Sequence, residues 1–252
     1  MNDEQRSDFV SKVPHVTLLF WIVKIFATTL GETGGDAVSM WMGLGYLVGT
    51  GIFAAIFALA VFAQIRAKQF HPFLYWLTII ATTTVGTTLA DFADRSLGIG
   101  YAGGATMLFV LVIASLLTWR WSMGTVSVES VSTTKAEIFY WGTIMFSQTL
   151  GTALGDWVAD SGLGYLGAAA VFSGMLLIVV ALYFWTGISR TILFWAAFIL
   201  TRPLGATVGD FLDKPTADGG LELSRYTASL ILLVVIVGIL LIFKPRAAEA
   251  AH

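Results

Sequence analysis

An aromatic residue followed by Trp occurs at Phe20-Trp21, Tyr75-Trp76, Tyr140-Trp141 and Phe194-Trp195, and the residues after these four pairs fall into one gapless register. Ten positions past each Trp stands a Gly (Gly31, Gly86, Gly151, Gly205), and fifteen past it an Asp (Asp36, Asp91, Asp156, Asp210). A small residue precedes each Asp, at Gly35, Ala90, Gly155 and Gly209. Three copies continue to "LGY" or "IGY", ending at Tyr46, Tyr101 and Tyr165, and the fourth substitutes "DKPTADGGLELSRY". Self-similarity of this kind commits the chain to an array of like units. The Trp spacings are 55, 65 and 54, so units one and two are related as three and four are, a doubled pair.

Each unit holds two apolar stretches. They fall at about residues 16 to 37, 47 to 65, 73 to 92, 103 to 119, 138 to 158, 167 to 185, 191 to 211 and 227 to 243, near the ~20 residues a helix needs to cross ~30 Å of hydrocarbon. With 57% hydrophobic and 12% charged residues, the chain is far more apolar than a soluble domain, in which about a quarter of residues are charged. The runs lack the dyad alternation of barrel strands, so helices are expected. The predicted fold is an all-α polytopic membrane protein. Its eight transmembrane helices form four helical hairpins, in one membrane domain with repeats at 16–65, 73–119, 138–185 and 191–243.

Two spans per unit bring every unit into the membrane in the same direction, giving parallel rather than inverted repeats. Arg6, Lys12, Arg66, Lys68, Arg120, Lys135, Arg190, Lys244 and Arg246 gather on one side, against Arg95, Lys214 and Arg225 on the other, so both termini are expected in the cytoplasm. The first span has no small-residue cleavage pattern and is expected to be retained. The net charge of -2 selects neither nucleic acid nor an acidic partner; the expected partners are the bilayer and a small ion or solute. The chain has no Cys, which removes disulfides and thiolate metal sites.

The even spans carry no Asp, Glu, Lys or Arg in their apolar runs, which suits an outer, lipid-facing layer; the odd spans carry the polar residues and are expected inside. At about 100° per residue, offsets of 7, 10, 11, 14 and 15 from each Trp share one face. Thr28, Gly31, Glu32, Gly35 and Asp36 form such a stripe, and its equivalents carry Thr83, Thr87 and Asp91; Gln148, Thr152 and Asp156; Arg202, Ala206 and Asp210. Small residues let transmembrane helices approach closely. From Trp to Asp the helix rises about 22 Å, so with Trp at the cytoplasmic interface the Asp lies toward the outer end. The Trp residues read most simply as aromatic-belt anchors, and the glycines as packing.

Four carboxylates near helix C-termini oppose the helix dipole. Their cause is either an ion-handling centre or bonding to the next unit's loop. Glu32 is sharper, because Thr87, Thr152 and Ala206 occupy its offset elsewhere and the repeat demands no acid there. Lys24 either snorkels to the cytoplasmic interface or pairs with an acid. Arg202, followed by Pro203, sits seven residues into its span and needs a carboxylate partner, with Glu32, Asp36 or another repeat's Asp as candidates. Asp94 with Arg95, Asp160, and Asp213 with Lys214 read as a solvated interfacial face. His15, His71 and His252 are scattered and suggest no metal cluster.

The stretches "FWIVKIFATTLGETGGD", "YWLTIIATTTVGTTLADFADRS", "YWGTIMFSQTLGTALGDWVAD" and "FWAAFILTRPLGATVGDFLDKP" resemble a family of bacterial inner-membrane proteins built from four tandem two-span repeats of unknown function. The resemblance covers residues 18 to 243. It implies eight spans and a bacterial cytoplasmic membrane, and transfers no chemistry.

No phosphate loop, H-E-x-x-H or G-x-S-x-G motif is present, so no enzyme and no cofactor are expected. The leading expectation is a secondary transporter or exporter of a small cation. Glu32, Asp36, Asp91, Asp156 and Asp210 would be its ligands or proton carriers, Thr28, Thr83, Thr87 and Thr152 neutral donors beside Gln148, and Lys24 and Arg202 internal counter-charges. Oxygen ligands favour Mg²⁺, Mn²⁺ or Ca²⁺. The alternatives are a carrier of an organic or anionic solute on Arg202 and Lys24, and a non-transporting structural subunit. All depend on the acid-bearing faces meeting at a shared, water-reachable centre.

Overall fold

The computed structural model describes residues 11–248; Arg6 and His252, which entered the charge and histidine readings, lie outside them. The long helices are α1 (Leu18–Asp36), α2 (Tyr46–Arg66), α3 (Pro72–Asp91), α4 (Tyr101–Met123), α5 (Thr134–Val158), α6 (Gly164–Trp185), α7 (Arg190–Asp213) and α8 (Arg225–Phe243). α5 and α6 belong to one helical run, bent at Gly162. Among the described residues, six helical runs are long and apolar enough to cross a membrane. α1 is not one of them, because Lys24, Glu32 and Asp36 lie in its 19 residues. This is a helical, multi-pass membrane protein with no named strand among the described residues.

Local chemistry sets the boundaries. The Thr17 and Thr133 hydroxyls accept bonds from Phe20 N and Ala136 N, capping α1 and α5, and Pro72 opens α3, where its missing N–H costs nothing. Past the repeated Asp, α1, α3 and α5 continue through five-residue π-helical turns, Ala37–Trp41, Phe92–Ser96 and Ala159–Leu163. The chain then reverses at Gly43 and Gly45, Gly98 and Gly100, and Gly162 and Gly164, all at positive φ, which explains why "LGY" and "IGY" recur. In the fourth repeat Pro215 halts the helix instead.

The odd helices form a closed inner ring in the order α1, α3, α5, α7, as expected from their stripes. The even helices lie outside, but not as hairpins. α2 packs on α3, α4 on α5, α6 on α7 and α8 on α1, so each outer helix lies on the inner helix of the following repeat and barely touches its own. The glycine turns swing it there, and α8 closes the circle. Of α2, only Gly49, Ala60 and Gln64 are buried, in keeping with an outward apolar face.

The Trp end corrects a second expectation. Trp76, Trp141 and Trp195 are buried and Trp21 is half-buried. They pack with Phe20, Tyr75, Trp119, Tyr140, Phe194 and Phe198 into an aromatic plug rather than forming a peripheral belt. The cause is that each Trp begins the inward stripe. Over the plug, the N-terminal segment is strapped to both the α4–α5 connection and the C-terminal segment: Lys12 N bonds Val131 O at 2.9 Å, His15 N bonds Arg246 O at 2.9 Å, and Ala248 N bonds Val13 O at 2.8 Å. Lys12 Nζ reaches Glu137 Oε1 at 2.6 Å and the last carbonyls of α2.

Candidate functional site

Close packing of the inner ring follows a cyclic rule. A Cβ on Gly31 would strike Thr83, one on Gly86 the Gln148 backbone, one on Gly151 the Arg202 side chain, and one on Gly205 Thr28. Each glycine therefore receives the offset-seven residue of the next repeat. Four residues on, Gly35 receives Thr87 and Gly209 receives Glu32 in the same way. The stripes consequently stack in layers: Thr28, Thr83, Gln148 and Arg202; then Glu32, Thr87, Thr152 and Ala206; then the four Asp residues. Every one of these side chains is buried.

Arg202 crosses the centre. Its Nη2 donates to Glu32 Oε2 at 2.9 Å, to Thr87 Oγ1 at 2.7 Å and to Thr152 Oγ1, so one guanidinium on α7 ties α1, α3 and α5 together. Of its candidate acid partners the ring selects Glu32, because Gly209 lets Glu32 lie flat against α7. Thr28 donates to carbonyls of Lys24, Ile25 and Thr201, whereas Thr83 Oγ1, both amide atoms of Gln148, and Arg202 Nε and Nη1 have no hydrogen-bond partner.

Lys24 does not snorkel and pairs with no acid among the described residues. It is 0% exposed; Nζ donates to Thr201 Oγ1 at 3.3 Å and lies 4.0 Å from the centre of the Phe198 ring. The aromatic plug stands between it and the end of the bundle.

The Asp layer is divided into two ion-paired groups. Arg95 joins Asp91 at 2.9 Å to Asp156 at 3.6 Å, and Lys214 joins Asp210 at 3.2 Å to Asp36. Arg225 lies 3.8 Å from Asp36 and holds Asp213 at 2.9 Å. On the second side, oxygens of Glu32, Asp36 and Asp210 all lie within 4.8 Å of one another. These three form the potential metal-ligand group, while Asp91 and Asp156 sit across the ring. Burial alone would lower the Lys214 pKa, but Asp210, Asp36 and Asp213 outweigh it and hold it well above the ordinary lysine value, so Lys214 is a fixed cation at neutral pH.

Asp213 and Lys214 are thus buried constituents of the centre, contrary to the solvated reading. They turn inward because the chain after Pro215 folds back: Leu221, Glu222 and Leu223 N–H groups bond the carbonyls of Phe211, Lys214 and Leu212. Asp160 is exposed and Asp94 half-buried. Arg95, Lys214 and Arg225 were not singled out by the stripe. A signal existed for two of them: Arg95 and Lys214 both stand nineteen residues past their Trp and four past their Asp, in repeats two and four only.

A family model matches the chain over residues 19–70, 74–125, 139–189 and 193–244, the same four units that the register of Trp, Gly and Asp defines. Comparison with curated proteins and with solved structures found no match. With four tandem copies taking in most of its length, the chain belongs to the family described as Repeat of Unknown Function (DUF347).

Proposed function

We propose that the protein crosses a bacterial cytoplasmic membrane eight times, with both termini in the cytoplasm, and is a secondary transporter of a small cation. A divalent ion such as Mn²⁺ or Mg²⁺ suits it best. The observation that carries this reading is the buried group of Glu32, Asp36 and Asp210, with oxygens within 4.8 Å of one another and the Lys214 ammonium bound among them. Intramembrane carboxylates on facing helices are expensive and mark ion pathways by default, and oxygens so spaced suit a hard cation. The topology is supported by the joining of the N- and C-terminal segments at the Trp end and by the Lys and Arg excess there.

Lys214 acts here as a tethered substitute for the transported ion. When the turn carrying it withdraws, Asp36 and Asp210 are left without their ammonium and take a cation in exchange, so these buried carboxylates are never left without a positive partner. The Arg202 bridge and the aromatic plug close the path behind the site. Alternating access then requires the fold-back of residues 214 to 224 to move on one side and the plug with its strap on the other. The chemistry needs no bond making, and this is a carrier rather than an enzyme.

Reconstitution into proteoliposomes with a panel of divalent and monovalent cations tests the proposal. Saturable flux of a divalent ion is expected, lost in Asp210→Asn while the variant remains folded. A folded Asp210→Asn protein that transports like the parent, or no cation flux in any condition, overturns it.

A further inference from the structure

Between the four Trp residues and the glycines ten positions on, the inner helices carry two basic side chains, Lys24 and Arg202, and no carboxylate. Lys24 and Arg202 are both 0% exposed, on adjacent inner helices. Glu32 balances Arg202 through Nη2 alone, and Lys24 has only the Thr201 hydroxyl and the Phe198 ring. In the same region Arg202 Nε and Nη1, Gln148 Nε2 and Oε1, Thr83 Oγ1 and Ser147 Oγ are buried without hydrogen-bond partners. Buried polar groups in native proteins are nearly always satisfied, and buried charges are paired. The unpartnered N–H groups of Arg202 and Gln148, with the Lys24 ammonium, call for more acceptors than Gln148 Oε1 and the neighbouring hydroxyls supply.

We infer that a small inorganic anion, of halide size, binds between Lys24 and Arg202, with Gln148, Thr83 and Ser147 as neutral donors. One turn toward the plug, at the level of Lys24, the inner helices carry Ile79, Ile144 and Phe198, all buried. An apolar floor under a donor-rich roof favours a weakly hydrated monovalent anion over a multiply charged oxyanion. The anion neutralises the charge that no carboxylate answers. This site shares Arg202 with the Glu32, Asp36 and Asp210 group but stands whether or not that group carries a cation.

The test is binding of radiolabelled chloride to the purified full-length protein in detergent, with gluconate as the counter-salt at constant ionic strength. Saturable binding to the parent, displaced by bromide and not by gluconate, is expected. Lys24→Met is expected to weaken it at least about tenfold, the loss of one charge-assisted contact. Should Lys24→Met not fold, Gln148→Leu serves as the second variant and weakens binding in the same direction. A bromide soak of crystals gives an independent reading, with an anomalous peak between Lys24 Nζ and Arg202 expected. Absence of saturable chloride binding in the parent, or binding unchanged in folded Lys24→Met or Gln148→Leu, overturns the inference.

Discussion

At the scale of single residues, the centre is held by ions whose worth depends on their partners. Glu32 and Arg202 are both buried, 2.9 Å apart. Removing one member of such a pair leaves the other charged and unanswered, at a cost of about 3–5 kcal/mol, whereas replacing both is often close to neutral. Arg202→Gln is therefore expected to lower thermal stability in detergent severely, and Arg202→Gln with Glu32→Gln to recover most of the loss. Full additivity of the two changes would mean that the pair is not a unit. Lys214 gives a prediction of opposite sign. It competes for the oxygens of Asp36 and Asp210, so Lys214→Met is expected to tighten divalent-cation binding by about tenfold, or ~1.4 kcal/mol. Titration calorimetry with Mn²⁺ measures it, and an unchanged affinity would remove Lys214 from the role of internal substitute.

Among the helices, the glycines of the inner ring divide into those that another repeat fills and those that face nothing. A Cβ on Gly86 would lie 2.9 Å from the Gln148 carbonyl carbon and 3.0 Å from Thr149 N, both backbone atoms that cannot swing aside; Gly142, in α5, has no atom within 4 Å. Gly86→Ala must push α3 and α5 apart and is expected to cost about 1–3 kcal/mol. Gly142→Ala relieves helix entropy and is expected to be neutral or to stabilise by up to about 1 kcal/mol. Melting temperatures of the two variants decide it, and a shared sign would deny the interlock. This contrast also marks where the sequence was legible. The register of Gly31, Gly86, Gly151 and Gly205 placed the odd helices inside with their stripes converging, because close approach leaves a compositional mark. The partner of each outer helix left none: the apolar faces of α2, α4, α6 and α8 are interchangeable in composition, and the turn at Gly43 and Gly45 rather than any contact residue aims α2 onto α3. The burial of the Trp residues is hidden for a related reason, since an interfacial Trp and a packed one occupy the same place in a repeat. Lys214 and Arg225 enter the centre from a turn whose folded-back course is set by backbone bonds to Phe211, Leu212 and Lys214, which side-chain patterning does not encode.

For the whole molecule, handing each outer helix to the next repeat makes the two halves interdependent. α4 of the first half lies on α5 of the second, and α8 of the second on α1 of the first. The ions cross the same division: Glu32 and Asp36 come from the first half, and their partners Arg202, Lys214 and Arg225 from the second. In return, Arg95 of the first half answers Asp156 of the second. A half alone would expose its polar stripes and leave several buried charges without partners, each costing several kcal/mol. Cutting the chain after Gly124, the left-handed cap of α4, interrupts no helix and leaves the Val128 to Val131 stretch with the second half, where it can still receive the Ser11 and Lys12 bonds. Neither half is expected to accumulate in membranes when expressed singly, and both are expected to co-purify through a tag on one, as a complex of the parent's size, when expressed together. Stable, monodisperse halves obtained separately would mean that each pair of repeats closes on itself, and the crossed packing of α4 and α8 would then not be what holds the ring together.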